Sequence, residues 1–167
     1  MLARSLFRRS VLVAVLVAVL VGSLASPAVI THASAGTNYH FKRRERCFMR
    51  KINRVRARHG LRRLYRDKQL GYVARLHARE MAYYTSVWDD SYIGQRVTNW
   101  RSLGTNAGSG RRCRQLTRAF LDSWPHRANI LGHFRYMGVG VAWNNGNMYV
   151  SENFESRINP GNIYRWP

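Results

Sequence analysis

Acidic residues are scarce in this chain. Asp and Glu number eight among 167 residues, against 28 Lys plus Arg, for a formal net charge of +20 with histidines neutral. Cysteine is nearly absent as well: Cys47 and Cys113 stand too far apart to suggest a zinc site. Lysine is confined to Lys42, Lys51 and Lys68, so the positive charge is almost entirely guanidinium, a group suited to bidentate contact with phosphate or carboxylate. No Gly-x-Ser-x-Gly elbow and no His-Glu-x-x-His helix occurs, and Gly104-Thr-Asn-Ala-Gly108-Ser-Gly110 lacks the Lys-Ser/Thr of a phosphate loop. No fingerprint of specific nucleic-acid recognition and no internal repeat is visible. With 46% hydrophobic residues, five Trp, nine Tyr and six Phe, the chain has core material enough to exclude disorder.

The one long apolar run, Val11 to Val21, follows Arg4, Arg8 and Arg9 and leads to Ala33-Ser34-Ala35-Gly36. That is the layout of an export signal, 1–35, cleaved after Ala35. The rival reading is a membrane anchor. Gly22, Ser23, Ser26 and Pro27 break the run short of the ~20 residues a span needs. A twin-arginine export route is faintly suggested by Arg8-Arg9, and general secretion fits the strong apolar run better. The expected location is therefore secreted or extracellular. Removal of 1–35 takes away three Arg and no acid, leaving 25 basic against 8 acidic residues, a formal +17 over 132 residues. A solvated arginine surface set by codon bias and attraction to polyanions both account for that excess. In an exported chain the two cysteines most simply pair with each other, closing a loop of roughly sixty residues worth on the order of 4 kcal/mol.

After a basic lead-in, 36–44, Phe48, Ile52 and Val55 predict a helix over 45–59 stopped by Gly60, with His59 at its C-terminal end. Asp67 can cap a second helix whose stripe is Leu70, Val73, Ala74, His77, Met81 and Tyr84. Within that stripe His77 reads as a satisfied core histidine. Cys113, Leu116, Thr117, Phe120, Leu121 and Trp124 form a third stripe, and Pro125 opens a short fourth helix ended by Gly132. Met137, Val139, Val141 and Trp143 alternate with Gly138, Gly140 and Ala142, predicting a strand with one bare face on which a helix can pack closely. Asn145-Gly146 is a hairpin turn, and Met148 to Phe154 the returning strand. Between Thr85 and Arg112 a short strand over Gln95–Trp100 is expected. On the returning strand Glu152 shares a face with Val150 and Phe154. A buried salt bridge to one of the many arginines is the expectation there, ahead of a catalytic carboxylate. Helices early and strands late make an α+β layered domain, 45–158, followed by a tail, 159–167.

Ala119-Phe-Leu-Asp-Ser-Trp-Pro-His-Arg-Ala-Asn-Ile-Leu-Gly132, followed by Met137-Gly-Val-Gly-Val141, resembles the signature of the secreted CAP superfamily in its bacterial form. Ile52 to Leu61, Leu76 to Ala82 and Trp100 to Gly108 are similar to the family's first helix, second helix and central loop, in order. The resemblance implies a three-layer α-β-α sandwich with a central cleft. In the family that cleft often carries two histidines and acidic residues able to hold a divalent metal. Here His126 matches one histidine, while Thr105, beside Asn106, stands where the family has glutamate. Trp88 is the counterpart of the other histidine, and the second acidic position falls near Asp122-Ser123. The cleft expected from the resemblance is thus lined by His126, Trp88, Thr105, Asn106, Ser123, Asp122 and Asp89. With Asp89 the only nearby substitute ligand beside Asp90, no metal or other cofactor is expected.

Three functions follow: a non-enzymatic binding module at the cell envelope, a lipid or sterol carrier, and a hydrolase using His126 as base. Partners expected with them are anionic envelope polymers, lipid headgroups or a small apolar ligand, bound by a monomer.

Overall fold

A computed structural model describes residues 42–157. The expected export signal, most of the expected basic lead-in and the expected C-terminal tail lie outside the described residues. Helix α1 spans Arg43–Arg58, starting two residues earlier than its apolar stripe suggests because Glu45 turns back to accept the Lys42 backbone N–H at 2.9 Å. At its far end Gly60, at φ +67°, lets Leu61 N–H reach the Arg56 carbonyl at 2.9 Å and closes the helix. Strand β1 is Tyr65–Arg66, and helix α2 is Lys68–Tyr83, capped by the Asp67 carboxylate on Leu70 N–H at 2.8 Å. A single turn, α3, covers Ile93–Arg96. Strand β2 is Ser102–Gly110, helices α4 and α5 are Cys113–Asp122 and Trp124–Leu131, and the hairpin is β3, Tyr136–Asn144, with β4, Asn147–Ser156.

The four strands lie in the order β1-β3-β4-β2, with β1 parallel to β3 and the other pairs antiparallel. Helix α2 covers one face, and α1, α4 and α5 the other, giving the three layers of an α+β sandwich. The bare side of β3 is what admits α2. A Cβ on Gly138 would fall 2.2 Å from the Gly71 backbone, and one on Gly140 2.1 Å from the Ala74 backbone. Helix and sheet meet here at backbone contact, so any side chain would force the layers apart. On the other face Phe48, Ile52, Leu116, Phe120, Met137 and Phe154 form the main core. Cys47 and Cys113 are bonded to each other across α1 and α4, with Cα atoms 6.4 Å apart.

Three local expectations fail. Gln95–Trp100 is not a strand: the turn α3 and its exit occupy it, and the strand is β2, in the glycine-rich stretch that resembles the family's central loop. Small residues suit β2 because Gly104 and Gly108 lie under Asn129 and Phe120, where a Cβ would come within 2.6 and 2.8 Å. Trp124 does not continue the buried stripe of α4. The chain turns at Ser123, and the indole, 80% exposed, begins α5 instead. Tyr84 likewise falls past the end of α2 and is exposed.

Candidate functional site

The pleat of the sheet sorts the polar residues into two groups. In the β2–β4 register Asn106 faces Glu152 and Thr105 faces Asn153. Successive side chains alternate, so Asn106 and Glu152 project toward α4 and α5, and Thr105 and Asn153 toward α2.

On the first side, Asn106 Nδ2 donates to Glu152 Oε2 at 3.1 Å and to the His126 carbonyl at 3.3 Å. Asn129 Nδ2 donates to Asn106 Oδ1 at 2.9 Å and to the Thr105 carbonyl at 2.8 Å, which binds α5 onto β2. Glu152 is completely buried, and burial pushes its pKa up to about 8 against the opposing pull of the Asn106 amide. The expected salt bridge is absent: among the described residues no arginine reaches Glu152, and a neutral amide takes that place. Its carboxyl is therefore largely protonated at pH 7. Glu152 Oε1 and His126 Nδ1 are both buried and lack hydrogen-bond partners among the described residues. The imidazole of His126 lies 5.0 Å from the Phe120 ring, centroid to centroid.

On the second side, Thr105 Oγ1 and Ser151 Oγ each donate to Asn153 Oδ1 at 3.3 Å, and Ser151 Oγ lies 3.2 Å from His77 Nδ1. His77 is buried as expected but only half satisfied, since Nε2 has no partner. Burial lowers its pKa, outweighing the pull of Asp90 and Glu80, so the ring is neutral at pH 7. Trp88 meets this imidazole in a T-shaped contact at 5.6 Å, and the Tyr84 ring is tilted against Trp88 at 6.1 Å.

The residues expected to line one cleft are thus divided by the sheet. Asn106 and the backbone of His126 are brought together with Glu152. Thr105 and Trp88 are linked instead through His77, Ser151 and Asn153. Asp89 is exposed; its neighbour Asp90 is buried, accepts Tyr92 N–H at 3.1 Å and pairs with Arg96 at 3.5 Å. Asp122 is exposed at the end of α4, and Ser123 forms the junction to α5. Neither hydrogen bonds to the His126 ring. Sequence reasoning passed over Asn129, Ser151 and Asn153. Strand parity around Glu152 was the available signal, once β2 is recognised as a strand.

A divalent ion does not suit these residues. Among the described residues no three His, Cys, Asp or Glu side chains converge. Glu152, joined through Asn106 to the His126 carbonyl, is largely protonated and so a poor ligand, and an indole and a hydroxyl stand at the other expected positions. The arrangement is instead two buried hydrogen-bonded clusters, one on each face of the sheet, with the Trp88 and Tyr84 rings beside the second.

The structure resembles several solved proteins. An outer surface protein of Borrelia burgdorferi, 16% identical, matches over 70% of this chain and 94% of its own, with a TM-score of 0.64. An extracellular protein with an SCP domain from Bacillus anthracis is 25% identical over 68% of this chain, with a TM-score of 0.62. A cysteine-rich secretory protein of Staphylococcus aureus is 20% identical over 68% of this chain, with a TM-score of 0.60. The chain spans 40% and 38% of the length of the latter two. No curated protein matches it. Among the described residues no helix is long and apolar enough to cross a membrane. The model of the CAP, or cysteine-rich secretory protein, family matches residues 49–154, most of the chain, and the protein belongs to that family.

Proposed function

We propose that this chain is an exported, non-enzymatic binding module that holds to anionic polymer of the cell envelope through its arginine surface. One observation carries the reading. Three arginines, Arg75, Arg96 and Arg157, take up five of the eight acids, namely Glu45, Glu80, Asp90, Asp67 and Glu155. Of the remaining three, Glu152 is buried and largely protonated, leaving Asp89 and Asp122 as exposed carboxylates. Exposed arginines such as Arg54, Arg58, Arg62, Arg63, Arg114 and Arg118 therefore project a field that two exposed carboxylates are too few to offset. Such a field concentrates anionic partners and strengthens as salt falls.

Hydrolysis with His126 as base lacks support, because among the described residues no serine or threonine hydroxyl is seen hydrogen bonding to its ring. Carriage of a lipid or small apolar ligand is the second reading. Tyr83, Tyr84, Val87, Trp88 and Tyr92, all exposed within ten residues, favour it.

The test is co-sedimentation of residues 36–167 with isolated bacterial envelope at low salt and at roughly 0.5 M, where the Debye length is about 4 Å. Binding at low salt that disappears at high salt is expected. Retention at high salt overturns the reading in favour of the apolar one. His126→Ala should leave sedimentation unchanged, and a loss of binding in that variant would return His126 to the functional site.

A further inference from the structure

Two open hollows adjoin where the segment after α1, Gly60–Leu64, meets the segment after α5, Gly132–Arg135. Their volumes are about 400 and 410 Å³, and Arg62 and Arg135 line both. The first adds Arg56 and His133, the second Arg63 and Tyr65, and neither has an acidic residue in its wall. Arg62, Arg63 and His133 are exposed. None of these side chains forms an ion pair with a carboxylate among the described residues.

The floor is more unusual than the rim. Arg56 is 2% exposed, and its guanidinium donates to four backbone carbonyls: Arg62 at 3.0 Å, Ile130 at 2.8 Å, Gly132 at 2.9 Å and Phe134 at 3.3 Å. A buried cation is ordinarily matched by a carboxylate, and here, among the described residues, carbonyl dipoles meet it instead. Arginine keeps its proton in proteins, so a full charge sits beneath the groove. With four of its five N–H groups committed to carbonyls, Arg56 contributes mainly field while Arg62, Arg63 and Arg135 remain to make contacts.

The cradle is also held in shape. Asn53 grips the Leu64 backbone in both directions, at 2.8 and 3.1 Å, and Tyr65 N–H donates to the Arg135 carbonyl at 2.8 Å, tying the two segments together. Arg135 is parked over the Tyr65 ring at 4.5 Å. Preorganised guanidinium groups lose less entropy on engaging an oxyanion.

We infer that this groove is a phosphate-binding site that seats consecutive phosphate groups of a polymer, one in each hollow, with Arg62 and Arg135 between them. Planar guanidinium forks match phosphate oxygens in pairs, and two adjoining hollows with shared arginines fit a chain of phosphates better than a single ion. The inference deepens the envelope-binding reading and names where on the arginine surface the polymer is held.

Calorimetric titration with orthophosphate, inorganic pyrophosphate and linear polyphosphate tests it, on the native chain and three variants. Arg62→Gln/Arg63→Gln removes two exposed rim groups. Arg62→Lys/Arg63→Lys keeps their charge but loses the fork. Arg114→Gln/Arg118→Gln removes the same charge from the exposed side of α4. Polyphosphate is expected to bind more tightly than pyrophosphate, and pyrophosphate more tightly than orthophosphate. The rim Gln variant should lose roughly tenfold or more in pyrophosphate affinity, as loss of charge-assisted hydrogen bonds implies. The Lys variant should lose part of it, and the α4 variant little, with unfolding midpoints unchanged. Equal losses in the rim and α4 Gln variants would overturn the site while leaving general envelope attraction intact. An undiminished Lys variant would likewise reduce the groove to diffuse charge. Groove-specific pyrophosphate binding in a chain that fails to sediment with envelope would instead retain the site and overturn the envelope reading.

Discussion

Glu152 and Glu155 lie three residues apart on β4, both completely buried, and their surroundings could hardly differ more. Strand alternation sends them to opposite faces. Glu152, on the three-helix side, meets a neutral amide. Glu155, on the α2 side, is gripped by both ends of the Arg157 guanidinium, which also stands 3.1 Å from Asp67 and 5.6 Å from the Tyr136 ring. Burial raises the pKa of both, but Glu152 has an amide to oppose the rise and Glu155 a cation. A protein with a surplus of arginine has still left Glu152 without one, so charge abundance does not determine where buried pairs form. Access does. Arg157 follows directly after β4 and folds back over its own strand, while the elements over Glu152 bring Phe120, Asn106 and Asn129.

The strongest way to break the contrast is to remove Arg157. Arg157→Ala leaves Asp67 and Glu155 facing each other in the interior with no cation, and stripping one partner from a buried ion pair costs about 3–5 kcal/mol. Asp67 also caps α2, so the loss should reach the helix that covers that face. Urea unfolding at pH 7 should show a large fall in midpoint. A change under roughly 1 kcal/mol would mean that the triad is solvated in solution and that the two glutamates are alike after all.

Next in size is the pH dependence set by Glu152. Its pKa is about 8 in the folded chain and about 4.5 unfolded, so between those values the folded state holds the extra proton. Stability is then complete below pH 4.5 and declines as pH rises toward 8. From pH 5 to pH 7 the decline from this group is on the order of 2–4 kcal/mol. Glu155 and Asp67, also raised by burial, slope the same way. Glu152→Gln keeps the shape and cannot ionise, so the variant should match the native chain near pH 5 and exceed it at pH 8. A native chain whose stability rises over that interval, with the variant parallel to it, would show that Glu152 is ionised in the fold.

Most of the architecture was legible in the sequence because the signals were local. The period of α2, the Asp67 cap, the Asn145-Gly146 turn and the bare Gly138-Gly140 side of β3 each depend on neighbours in the chain, and the CAP resemblance ordered them. The strand β2 was hidden for the opposite reason. Its residues are small because other layers press on them, and smallness reads as loop when no partner is visible. The candidate site suffered from the same blindness. His126, Thr105, Asn106 and Trp88 were identifiable singly, but the face each occupies follows from the β2–β4 register, which is a long-range fact. Once β2 is paired, Asn106 must face Glu152, and the expected salt bridge gives way to a protonated carboxyl.

The smallest expected effect lies at Trp88 and sharpens the contrast from the α2 side. His77, like Glu152, is a buried titratable group held neutral by burial, but its cover is a 37% exposed indole rather than a packed helix. Stability from His77 is present above its unfolded pKa of about 6.5 and declines as pH falls, opposite in sign to Glu152. Trp88→Ala removes an edge contact worth about 0.5–1.5 kcal/mol and opens the ring to water. With desolvation the largest cause of its lowered pKa, the His77 titration followed by imidazole NMR should move up toward the ordinary histidine value. An unmoved His77 would assign its neutrality to the sheet and α2 alone, and would make Trp88 free to serve an apolar ligand without disturbing the histidine beneath it.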